Sequence, residues 1–146
     1  MADATGPVFA QLNLVVADLP ASLDFYRRLG LTPTATPDAA HAEASLPGGL
    51  TIEWDTAEFA AVWDSGSPGP LRGSIVLGFS VPSRQAVDDL YAQFTDAGQH
   101  GRQPPYDAFW GSRYAIVDDP DGNGVGLMSP IEAERRYWPP TPAPAS

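Results

Sequence analysis

The sequence predicts an α+β fold of two βαβββ modules, and three observations carry that prediction. The order strand, helix, strand, strand, strand is written twice, at a period of about sixty residues. Between the copies lies Ser65-Gly66-Ser67-Pro68-Gly69-Pro70, which holds no residue able to build a core. Each copy also marks its own helix, with Asp18 before and Gly30 after the first, and Ser83 before and Gly98 after the second.

The first copy opens with Val8 to Ala17. Phe9, Gln11, Asn13 and Val15 share one face of a strand, and Leu12, Leu14 and Val16 share the other. Asp18 is the expected cap of a helix with Pro20 in its first turn and Leu23, Tyr26 and Leu29 at helical spacing. Extended stretches follow at Leu31 to Ala35, His41 to Leu46 and Leu50 to Thr56, divided by the turn signals Pro37-Asp38 and Pro47-Gly48-Gly49. In the second copy Gly73 to Val81 reads as a strand, and the helix after Ser83 lines up Val87, Leu90, Tyr91, Phe94 and Ala97. Extended stretches at Gln99 to Gln103, Arg113 to Val117 and Val125 to Met128 complete it. The last two are joined by the turn Asp119-Pro120-Asp121-Gly122-Asn123-Gly124. The expected organisation is one domain over 1–130, with modules at 8–60 and 73–129, a linker at 64–72, and a Pro-rich tail at 131–146 in which Tyr137 and Trp138 are available for docking.

With 146 residues the chain has the length of one ordinary domain. Its 18 acids face 8 bases, all arginine, for a net charge of -10, which argues against a nucleic-acid partner. Such a surface favours cationic small molecules, but solubility through self-repulsion is the more ordinary reason for it, and charge alone decides nothing. The absence of cysteine removes disulfides, thiolate metal sites and thiol nucleophiles. Met1 to Pro7 has no apolar run, and no later stretch is long and apolar enough for a membrane span, so the expectation is a cytoplasmic protein without membrane contact.

Two segments resemble the vicinal oxygen chelate superfamily, which contains glyoxalase I, extradiol dioxygenases and bleomycin-resistance proteins. The run from Gln11 through Asp18, Phe25 and Tyr26 to Leu31 is similar to that family's opening strand and helix, and Asp119-Pro-Asp-Gly-Asn123 to its last hairpin. The resemblance implies mixed sheets curved around a cavity, and a homodimer. In the metal-dependent members four strands each aim one ligand at a divalent ion. Gln11 and Glu53 stand at two of those positions and are compatible with metal, but the other two fall on Val76 and Gly126, which carry no donor. His41 and His100 do not match a ligand position. The expectation is therefore no cofactor, with a divalent metal at Gln11 and Glu53 only under an enzymatic alternative.

Without metal, the resemblance points to a protein that encloses an aromatic or cationic, antibiotic-like molecule, with self-resistance by sequestration as its use. Trp54, Phe59 and Trp63 follow or end the fourth strand, while Tyr106, Phe109 and Trp110 lie in a Pro-containing segment expected to form a loop over the cavity rim. Trp54 and Trp63 are equally open to a core reading. Glu53 and Asp55, two apart on a strand, share a face. Together they bind a cation, or Glu53 serves as a general base, and a solvated charge at a strand end stays open for Asp55. Gln11 and Asn13 belong to the same face, and Arg113 either pairs with Asp107 or meets an anionic group. The alternatives are a glyoxalase-like lyase, isomerase or dioxygenase using Gln11 and Glu53, and a non-catalytic interaction domain.

Overall fold

The computed structural model describes residues 11–65, 67–70 and 75–137. The chain divides into two compact units between Leu71 and Arg72, and each contains one four-stranded mixed sheet. The expected α+β fold with two βαβββ modules is what the chain adopts.

In the first unit β1 (Gln11–Val16) leads into α1 (Leu19–Arg27), followed by β2 (Thr34–Ala35), β3 (His41–Ser45), β4 (Thr51–Thr56) and a short helix α2 (Ala57–Trp63). The strand order is β1-β4-β3-β2, with β1 parallel to β4 and the other pairs antiparallel. The Asp18 side chain caps α1 by accepting from the Ala21 amide at 3.1 Å. Strand alternation sends Leu14, Val16, Ala42, Ala44, Ile52 and Trp54 to one face, where all are buried together with Leu19, Leu23 and Tyr26 of α1. The opposite face keeps the polar residues. The sequence pattern did not announce α2, whose start is fixed by Thr56 Oγ1 accepting from the Phe59 amide at 3.2 Å.

The second unit runs β5 (Val76–Ser80), α3 (Arg84–Asp96), β6 (Gly101–Asp107), β7 (Arg113–Asp118) and β8 (Gly124–Met128), then a single 3-10 turn at Ala133–Arg135. Its order is β5-β8-β7-β6, with β5 parallel to β8. Ser83 caps α3 by accepting from the Ala86 amide at 3.0 Å, and Gly98, at φ +94°, ends it. Val87 and Phe94 of α3 are buried with Ala115, Val117, Val125 and Leu127; Leu90 and Tyr91 are half-buried, and Ala97 is an exposed cap residue. The strand expected to stop at Gln103 continues through Pro104 and Pro105 to Asp107. β6 is an edge strand, so prolines there forfeit no ladder bond to a second neighbour. The hairpin turn is held by Asp119: Oδ1 accepts from the amides of Asp121 at 2.9 Å and Asn123 at 2.8 Å, and Oδ2 accepts from Asn123 Nδ2 at 3.0 Å.

Residues 8–10 of the first expected strand, 73 and 74 of the fifth, 66, 71 and 72 of the expected linker, and Trp138 with the end of the tail lie outside the described residues. Among the described residues no helix is long and apolar enough to cross a membrane.

Candidate functional site

The polar face of the first sheet is assembled by register. The parallel pairing of β1 with β4 sets Asn13 beside Glu53, and the antiparallel pairing of β3 with β4 sets His41 beside Asp55. Because Glu53 and Asp55 are two apart, both carboxylates emerge on the side away from Trp54, as the strand period requires. Helix α2 then folds back with Phe59 and Trp63, and the result is a cavity of about 220 Å³ that these side chains and Gln11 line.

Asp55 is the fixed point of this arrangement. It is only 1% exposed, which overturns the reading of a solvated strand-end charge. Oδ1 lies 2.5 Å from His41 Nδ1, while Oδ2 accepts from Asn13 Nδ2 at 2.8 Å and from Trp63 Nε1 at 3.1 Å. A buried carboxylate is tolerated when donors surround it, and here three different elements supply one each. With Asp55 as acceptor, the proton of a neutral His41 ring sits on Nδ1 and Nε2 keeps its lone pair. Glu53 is less enclosed: Oε2 accepts from Gln11 Nε2 at 2.9 Å and Asn13 Nδ2 at 3.3 Å, and among the described residues Oε1 accepts nothing. Asn13 therefore ties the two carboxylates together, and its own Oδ1 is buried without a partner. The His41 ring rests 5.5 Å from that of Phe59, and Trp63 stays 54% exposed at the mouth.

Of the residues singled out in the sequence, Gln11, Asn13, Glu53, Asp55 and Trp63 are thus brought together. His41, which sequence reasoning set apart from any ligand position, joins them. Trp54 does not. It is 0% exposed on the opposite face of β4, with its ring 5.4 Å from that of Tyr26, so the ligand role considered for it gives way to a core role.

Tyr106, Phe109, Trp110 and Arg113 form a separate group within the second unit. Tyr106 is on strand β6 rather than in a loop, opposite Tyr114 of β7. Phe109 and Trp110 occupy the turn between β6 and β7, where Trp110 stacks edgewise on Phe109 at 5.2 Å and Tyr114 at 5.1 Å. Arg113 takes the ion-pair alternative: Nε donates to Asp88 at 2.9 Å and Nη1 to Asp107 at 3.3 Å. The hydrogen bond to Asp88 raises the guanidinium above its usual value against the opposing effect of burial. Burial, followed by the proximity of Tyr137, raises the Tyr106 phenol; burial, followed by Tyr106, raises that of Tyr114.

The capacity for metal can be read from donors. His41, Glu53 and Asp55 each offer an atom within 4.8 Å of the others, close enough to share a divalent ion. Two of the four ligand positions that the resemblance implies, 76 and 126, are held by valine and glycine. Val76 offers no donor, and a Cβ at Gly126 would stand 2.7 Å from Tyr114 Oη, so the phenol fills the space a longer side chain needs. Arg102 does the same over Gly124, with Nη1 2.7 Å from where its Cβ would be.

The comparisons with known proteins agree with this architecture. A family model described as the Glyoxalase/Bleomycin resistance protein/Dioxygenase superfamily matches residues 8–127. Among solved structures, a glyoxalase/bleomycin resistance protein/dioxygenase from Nocardioides is similar at 24% identity, with 89% of this chain and 87% of that chain covered and a TM-score of 0.68. A glyoxalase-related enzyme from Fulvimarina pelagi is similar at 24% identity, with 83% and 86% covered and a TM-score of 0.71. A hypothetical protein from S. aureus is similar at 21%, with 86% and 95% covered and a TM-score of 0.70. At these identities the likeness concerns the fold. No curated protein matches the chain. The family model, spanning both βαβββ modules, makes the chain a member of the glyoxalase/bleomycin resistance/dioxygenase superfamily.

Proposed function

We propose that the cavity of the first module binds a compact organic cation with a flat, aromatic body and holds it without turnover. One observation carries this reading: the lining combines two carboxylates, Glu53 and Asp55, with the rings of Phe59 and Trp63, and contains no arginine. Glu53 has an oxygen to spare, and an aromatic face adds about 0.5–2 kcal/mol of cation–π attraction, more as water is excluded. Asp55 acts from behind, through His41, Asn13 and Trp63, by fixing the side chains that meet the ligand. Sequestration of an antibiotic-like molecule is the use this reading assigns, and the homodimer implied by the resemblance belongs to the same proposal.

The test is fluorescence titration with benzyltrimethylammonium and larger aromatic ammonium ions, using Trp63→Phe to assign the signal. Glu53→Gln should weaken binding about tenfold, equivalent to roughly 1.4 kcal/mol. Equal affinity in wild type and Glu53→Gln would refute the charge-based reading. A second reading, favoured by the 4.8 Å grouping of His41, Glu53 and Asp55, places a divalent ion there and keeps an enzymatic role open. It stands second because Asp55 already accepts on both oxygens. One Mn²⁺ or Zn²⁺ bound per chain, and lost in His41→Ala, would move it to first place.

A further inference from the structure

A second cavity, of about 280 Å³, lies within the second module, and its lining holds arginines beside one carboxylate, Asp107. Arg84 from the first turn of α3 and Arg135 from the 3-10 turn both line it, beside Ser112 and Tyr137. Arginine is scarce in this chain, which carries 8 basic residues against 18 acids, so two at one cavity stand out even though Asp107 and Glu132 pair with them.

Two donors there lack a partner. Ser112 is 0% exposed and its hydroxyl oxygen has no hydrogen-bond partner; Arg84 Nη1 is likewise buried with none. The Glu132 carboxylate oxygen that faces it stands 3.9 Å away, beyond hydrogen-bond reach. Buried donors are almost always matched by an acceptor, so this pair marks where an acceptor belongs. The remaining reach of both guanidinium groups is spent on surface carboxylates, Arg84 on Asp107 and Arg135 on Glu132. Asp107 is 62% exposed and Glu132 35%, so both acids have water to turn to when an incoming group displaces them. Tyr137 lies over the same place, its hydroxyl donating to the Asp107 carbonyl at 2.8 Å.

We propose that this cavity binds a small monocarboxylate with an aromatic or apolar body. The guanidinium forks match the planar, two-oxygen geometry of a carboxylate, Ser112 adds a hydroxyl donor, and Tyr137 and Ala108 supply the apolar contact. Charge selects against a dianion. Arg84, Arg113 and Arg135 are balanced locally by Asp88, Asp107 and Glu132, so each further negative charge is added to a neutral neighbourhood in an acidic protein. A monoanion meets that resistance once, inorganic phosphate nearly twice.

Calorimetric or NMR titration of the full chain with benzoate, acetate and inorganic phosphate at low ionic strength is the experiment. Benzoate should saturate, bind about tenfold more tightly than phosphate and more tightly than acetate, and lose about tenfold in affinity in Arg84→Gln. Ser112→Ala should weaken it by a smaller factor. Because Ser112 is buried, Arg135→Gln, at an exposed position, serves as the variant that leaves the fold intact, and it too should weaken benzoate. The proposal is overturned if benzoate shows no saturation at concentrations on the order of 10 mM, if phosphate binds as tightly, or if neither arginine variant changes the affinity. Binding of ammonium ions in the first module is read separately, so neither result depends on the other.

Discussion

Replacing Asp55 by asparagine tests the physical basis of the first cavity. The substitution keeps size and shape but removes the charge and turns an NH₂ group toward donors that need an acceptor. His41 Nδ1, Asn13 Nδ2 and Trp63 Nε1 now share one carboxylate; the asparagine oxygen serves either the His41 side or the Asn13–Trp63 side, not both. Hydrogen bonds to a charged acceptor contribute about 1.5–3 kcal/mol each, and a buried donor left alone costs about 1–3 kcal/mol. The full penalty does not apply three times. Trp63 is 54% exposed and the His41 side chain 20%, so both recover part of the loss from water, whereas Asn13 is more enclosed. The expected destabilisation is about 3 kcal/mol. Urea denaturation at pH 7 measures it directly: with a slope of about 2 kcal/mol per molar, the midpoint falls by roughly 1.5 M while the slope stays constant. Trp63→Phe, which deletes the indole N–H and keeps a ring, should cost about 1 kcal/mol. The double variant should cost less than the two together, since each removes the same bond. A loss below about 0.5 kcal/mol in Asp55→Asn, or strict additivity with Trp63→Phe, would mean that Asp55 does not organise the cavity.

Two further outcomes follow from the second module. Folded-state phenols raised by burial, as at Tyr106 and Tyr114, contribute stability that is whole below the ordinary value of 10.0 and is lost as pH climbs through the raised folded values. Ultraviolet titration should show the Tyr106 and Tyr114 phenols ionising above the ordinary value, with their contribution to the unfolding free energy declining above about pH 10. Asp119→Ala removes an acceptor used by three donors inside a buried turn and should cost about 2–3 kcal/mol by thermal or urea unfolding, with Asp119→Asn recovering part of it.

Periodicity and punctuation disclosed the two modules, since alternation, caps and turn glycines are local properties of the chain. Three features escaped for identifiable reasons. Helix α2 is seven residues long and continues directly from β4, so no turn residue announces it; Thr56, placed to cap the Phe59 amide, was the available signal. The extension of β6 was hidden by Pro104 and Pro105, which an edge strand tolerates and a central one does not. His41 is not legible as a site residue because it lies on β3, whereas the resemblance implies ligands on four other strands. Its place beside Asp55 is nonetheless encoded in the Pro47-Gly48-Gly49 turn, around which residues equidistant from Gly48, such as Glu43 and Glu53, face each other. Trp54 and Trp63 had identical sequence credentials, and only the strand period of β4 and the return of α2 separate a core ring from an exposed one.

The phenol of Tyr114 over Gly126 also constrains how this protein is able to change. A glutamate installed at 126 meets the far end of that side chain, so the Tyr114 ring must swing aside or be shortened to make room for it. The two positions are thus coupled, and directed evolution toward a metalloenzyme from this scaffold gains by varying 114 and 126 in the same library.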